Sequence, residues 1–101
     1  MNIVKMMKQA KEMQDKMQKI QEEVASQHFE SDSGGGAVKV KANGEGLLTE
    51  IKISSEVLSQ NDPEILEDLI LTAANAAIRQ GKDHAQQRMS SLTAGLGLPG
   101  F

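Results

Sequence analysis

From Ile3 to Val24 the apolar residues fall at Ile3, Met6, Ala10, Met13, Met17, Ile20 and Val24, in alternating steps of three and four. This is a heptad seam, and it predicts an amphipathic helix over residues 1–24 that packs along one narrow stripe against another helix. About 22 residues make a rod of roughly 33 Å. The methionines suit such a stripe because their unbranched side chains adapt to irregular packing. The pattern then changes. Ser31-Asp32-Ser33-Gly34-Gly35-Gly36 reads as a loop, followed by two alternating runs: Val38, Val40 and Ala42 against Lys39 and Lys41, and Leu47, Thr49, Ile51 and Ile53 against Leu48, Glu50 and Lys52. Asn43-Gly44-Glu45-Gly46 between them reads as a hairpin turn, and Ala25 to Glu30 is expected to supply a first strand. Residues 25–54 are thus expected to form a three-stranded antiparallel sheet with one apolar face.

A second helix is expected over 62–92. Asp62 suits the cap, Pro63 the first helical position, and Glu64, Glu67 and Asp68 the positive end of the dipole. Ile65, Leu66, Leu69, Ile70, Ala73, Ala74, Ala76, Ala77 and Ile78 are too many for one exposed stripe, so this helix is expected to lie both on the sheet and against a second helix. Gly81 weakens it without ending it, with Ala85, Met89 and Leu92 carrying the stripe onward. Residues 93–101 read as a Gly/Pro tail. The fold class is therefore α+β, one domain over 1–101, in the order helix, sheet, long helix.

A chain of 101 residues leaves much of its surface in water, and a small sheet leaves edges open, so pairing with a second copy is expected. There is no cysteine, no recognisable signal segment and no run long enough to span a bilayer, which leads to a cytoplasmic expectation. Phe29 and Phe101 are the only aromatic residues, too few for a base-stacking platform.

Catalytic or cofactor chemistry finds no support. His28 and His84 lie on separate segments without carboxylates at metal-site spacing, no serine sits in a nucleophile-elbow pattern, and Gly34 to Gly36 lead into a strand without the Gly-Lys-Ser/Thr ending of a phosphate loop. No metal, cofactor or small-molecule substrate is expected, and no membrane partner.

Charge is what remains. The net charge is −3, yet residues 1–21 carry Lys5, Lys8, Lys11, Lys16 and Lys19 against Glu12 and Asp15, a balance of +3 that leaves −6 on the rest. All five lysines lie off the seam. Arg79, Lys82 and Arg88 outweigh Asp83 towards the end of the second helix. These cations fit two readings: ordinary solvated faces, with some lysines paired to acids at helical spacing, or an anion-binding arm. Lysine meets phosphate well and reads base edges poorly, so the second reading means backbone contact with duplex DNA and loose sequence preference. The alternative function is a helix-docking protein-interaction module, in which the seam takes a partner helix and the lysines keep the rod soluble.

Four stretches in order carry a family resemblance. Met7 to Glu23 resembles the N-terminal helix of the bacterial YbaB/EbfC nucleoid-associated proteins. Gly35 to Val40 with Asn43-Gly44 resembles their strand and hairpin, Leu66 to Ile70 with Asn75 among Ala73 to Ala77 their long helix, and Leu98-Pro99-Gly100-Phe101 their tail. The resemblance implies a tweezer-like homodimer in the cytoplasm and nucleoid, with strands of both subunits in a shared central layer. It further implies broad DNA binding and a role in nucleoid organisation and gene regulation. Carried onto this sequence, the DNA-binding positions are Lys5, Lys8, Lys11, Lys16, Lys19, Arg79, Lys82 and Arg88.

Overall fold

The structure, a computed structural model, describes residues 2–95. The elements in chain order are α1 (Ile3–Ser26), β1 (His28–Ser33), β2 (Val38–Asn43), β3 (Leu48–Ile53), α2 (Ser55–Ser59) and α3 (Pro63–Gly95). The α+β architecture expected from the pattern is present, with several boundaries moved. The Asn2 side chain caps α1 by accepting from the Lys5 amide at 3.2 Å. The helix runs two residues past the seam, to Ser26, whose hydroxyl donates to the Glu23 carbonyl before Gln27 turns extended.

The first strand accordingly starts at His28 rather than Ala25, and it takes in Ser31 to Ser33, which composition assigned to a loop. Pairing overrides that propensity: Ser31 lies opposite Val40 and Ser33 opposite Val38, and the Ser33 hydroxyl donates to the Leu69 carbonyl of α3 at 2.6 Å. The loop shrinks to the glycines, where Gly34, Gly35 and Gly36 all hold positive φ (61°, 68° and 94°), a region glycine enters freely.

The sheet has the order β1-β2-β3, both pairs antiparallel. A bulge between Lys41 and Ala42 shifts the register so that Ala42 faces Leu48, where the unbroken register puts Thr49. Asn43 holds the β2–β3 turn, its side-chain oxygen accepting from the Glu45 and Leu47 amides. The short α2, capped by Ser54, has no counterpart in the sequence expectations: five residues show no period to detect.

Asp62 caps α3 as its position suggested, accepting from the Ile65 amide. The helix extends to Gly95 rather than 92, and the remaining tail, including Leu98 to Phe101, lies outside the described residues. Val38, Val40 and Ala42 of the central strand are fully buried against Ala73, Ala74 and Ala77. Alanines at the crossing let helix and sheet backbones come close. Packing from α3 concentrates on β1 and β2, which leaves Ile51 of the outer strand β3 45% exposed although it pairs with the fully buried Val40.

Past the sheet, α3 continues outward with α1 lying antiparallel along it: Arg88 bonds Glu23, and a crevice lined by Ile20, Val24, Ala85 and Met89 runs between them. Two glycines permit the close packing where these arms leave the sheet. Buried Gly81 faces the Phe29 ring and the Asn43 carbonyl, with 3.2 Å from Phe29 to where a Cβ would stand. Gly44 in the β2–β3 turn sits so near α1 that a Cβ there would fall on the Val24 carbonyl. His84 lies 5.5 Å from Phe29, ring to ring. The molecule measures 70 × 22 × 16 Å.

Candidate nucleic-acid interface

Heptad geometry places charge and seam on opposite sides of α1. At about 100° per residue, the five lysines fall within an arc of roughly 140°, centred about 150° from the apolar stripe. Lys5, Lys8, Lys11, Lys16 and Lys19 are all exposed. Glu12 and Asp15 share that face at helical spacing from lysines, yet none of the five lysines forms an ion pair among the described residues. Their ammonium groups stand in solvent, and Lys19 acts from there on the Glu23 carboxylate.

The three α3 cations divide. Arg79 and Lys82 are exposed on either side of Gly81, near the root of the arm. Arg88 is half-buried and donates to Glu23 Oε2 at 2.7 Å, holding α3 to α1. The structure thus assigns Arg88 a bracing contact that sequence spacing could not reveal, since its partner lies 65 positions away. The bond to Arg88 holds the Glu23 carboxyl below the ordinary value of 4.5, opposed by desolvation. For a depressed carboxylate, the linked stability is present above the unfolded pKa and lost as pH falls through the folded one. Glu23→Gln is therefore expected to lower the melting temperature slightly near neutral pH, with the two proteins converging as pH falls below the ordinary carboxyl value and through the lower folded one; a thermal-melt series across pH checks this.

Three further lysines lie on the sheet. Lys41 and Lys52 both pair with Glu50, at 3.3 and 3.5 Å, and the Lys41 hydrogen bond is the main cause of a lowered Glu50 pKa. Lys39 is exposed beside them. Among the described residues, no group of three or more His, Asp or Glu is placed to hold a metal ion, and no helix is long and apolar enough to cross a membrane.

Counting outward from the Glu23–Arg88 pair, the cations run from Arg79 at the root to Lys5 at the tip over about 40 Å of helical rise, slightly more than one turn of B-DNA at about 34–36 Å. The profile of the YbaB/EbfC DNA-binding family matches residues 1–96. The chain belongs to this family. The YbaB/EbfC assignment agrees with full-length relatives. A nucleoid-associated protein of Clostridium novyi is 45% identical over 101 residues, covering 100% of this chain and 89% of the relative. One from Pelotomaculum thermopropionicum is 46% identical over 100 residues, covering 99% and 95%. One from Agrobacterium fabrum is 45% identical over 98 residues, covering 97% and 92%. The YbaB/EbfC fold also resembles the crystal structure of an uncharacterized Helicobacter pylori protein, with a TM-score of 0.65 at 24% identity, covering 77% of this chain and 90% of the other.

Proposed function

We propose that this chain is a nucleoid-associated protein that binds duplex DNA as a homodimer, by contacts to phosphates and without a catalytic step. The observation that carries the reading is the exposed lysine face of α1, whose five ammonium groups have no ion-pair partner among the described residues. Lysine is a mobile point charge, suited to following a phosphate backbone and poor at reading bases. Arg79 and Lys82 are two further exposed cations on α3 nearer the sheet, and Arg88 is bound to Glu23 across the arm. Family membership supports DNA as the polyanion, and the names of the relatives support the nucleoid, and hence the cytoplasm, as the place where it acts.

The dimer rests on the outer strand. β3 is an edge with only one neighbour, and Leu48 and Ile51 on it, with Leu47 just before it, are exposed, as are Leu58 of α2 and Ile65 and Leu71 of α3. An apolar sheet edge left in water invites pairing, and a second copy covering β3 leaves the arms of both subunits free to project. A role in gene regulation follows if occupancy of DNA competes with other binders.

With about six phosphates contacted per dimer, the logarithm of affinity for a random duplex is expected to fall with log salt at a slope near −5. A mobility shift across salt concentrations measures it, and a flat response would sink the reading.

A further inference from the structure

Among the described residues, the seam of α1 is covered at one end only. Val24 is buried and Ile20 half-buried where α3 lies alongside, whereas Ile3, Met6 and Ala10 towards the tip are exposed, Ile3 and Met6 at 68% and 51%. Length explains the difference. Beyond Arg88, α3 continues seven residues to Gly95, while α1 continues twenty beyond Glu23 to Ile3. About 20 Å of α1 therefore extends past the described end of its neighbour, carrying an unbroken apolar stripe.

The flanks of this stripe indicate what covers it. In a helix pair, the positions bordering the seam meet across the contact and select the partner by charge. Along the tip those borders are Met7, Gln9 and Gln14, all uncharged, while Lys5, Lys8, Lys11, Glu12 and Asp15 lie on the far side. A charged foreign helix would find no counter-charge there. A second copy of the same tip finds no like-charge repulsion and an apolar stripe of the same width.

We infer that the tips of α1 pair with one another, antiparallel over Ile3 to Gln14, joining copies of the protein that do not share a sheet. The contact continues the seam that α3 already occupies nearer the sheet, and each helix enters it preformed, so it does not bear the cost of helix nucleation. The lysine face stays open. Copies so joined hold two duplexes at once, a consequence that rests on the DNA-binding reading, whereas the contact itself does not.

Sedimentation velocity of the full chain without DNA tests it. At high micromolar concentration the wild type is expected to form species of at least twice the mass found for Met6→Glu, with both proteins melting at similar temperatures because Met6 is exposed. Gln9→Glu combined with Gln14→Glu leaves the apolar stripe intact and is expected to dissociate the larger species, and mixing it with Gln9→Lys/Gln14→Lys is expected to restore it by opposite charge. Equal masses for wild type and Met6→Glu, or no rescue on mixing, would overturn the tip contact. Ile51→Asp separates the two interfaces: if it leaves every mass unchanged while Met6→Glu halves one, the sheet-edge dimer is wrong and the tip contact stands. With DNA, Met6→Glu is expected to shift a duplex as wild type does yet to lose about tenfold in capture of a second, labelled duplex on DNA-coated beads, because the second attachment is no longer intramolecular. Undiminished capture would also count against the inference.

Discussion

Replacing Lys11 and Lys16 by alanine is expected to weaken duplex binding by about 100- to 1,000-fold at moderate salt and to flatten the salt slope from near −5 to about −2. Each substitution removes two cations from the proposed homodimer, so the double variant removes four of the roughly six phosphate contacts proposed. The fold should be untouched. Both side chains are exposed and off the seam, and alanine is a strong helix former. Fluorescence anisotropy with a labelled random duplex at several salt concentrations measures the effect, alongside far-ultraviolet circular dichroism. Unchanged affinity with native helicity would show that these lysines are a solvated surface, and an equal loss on specific and random duplexes distinguishes phosphate contact from base reading.

The largest stability effect is expected at Gly44. Its replacement by alanine sets a methyl group on the Val24 backbone carbonyl, which belongs to a helix packed against α3 and has no free direction in which to yield. Overpacking of this kind costs about 1–3 kcal/mol, and the upper half of that range is expected because the obstacle is main chain. At roughly 4–8 °C per kcal/mol, the melting temperature should fall by about 10 °C or more. Gly95→Ala, whose Cβ meets nothing within 4 Å, serves as the control and should leave it nearly unchanged. Protein concentration must be matched, since the proposed pairing of subunits would contribute to the midpoint. A negligible shift at Gly44 would mean that the turn and α1 separate in solution.

Periodic elements were legible because burial imposes their period. The heptad stripe of α1 and the small, apolar run of α3 identified two helices, each with a face for a helical neighbour, and the Asp62–Pro63 start of α3 is visible from its capping chemistry alone. Where tertiary contact outweighs local preference, the reading slipped. Ser31 to Ser33 look like a loop and form strand because β2 and the Leu69 carbonyl take their hydrogen bonds. The bulge at Ala42 moves Leu48 into register with it, a one-residue change that composition does not encode. The exposed lysines were found from sequence, since a charge off an apolar stripe has nowhere else to go. Arg88 looked like one of them. Its commitment to Glu23 depends on how the arms align, which no local spacing carries. Gly81, read as a weakness in the helix, is the position that admits Phe29 and the Asn43 carbonyl to its flank.

The distribution of charge along the 70 Å axis has a kinetic consequence. Between Lys52 and Arg79 there is no basic residue, and Glu56, Asp62, Glu64, Glu67 and Asp68 cluster in α2 and the first turns of α3, at the end of the molecule away from the lysine-bearing tip. The protein is thus an electric dipole despite its net negative charge. Near a polyanion it experiences a torque that turns the acidic end away and presents the arm first. Collisions become productive more often than random orientation allows, and the gain fades as salt screens the field over about 10 Å at 0.1 M.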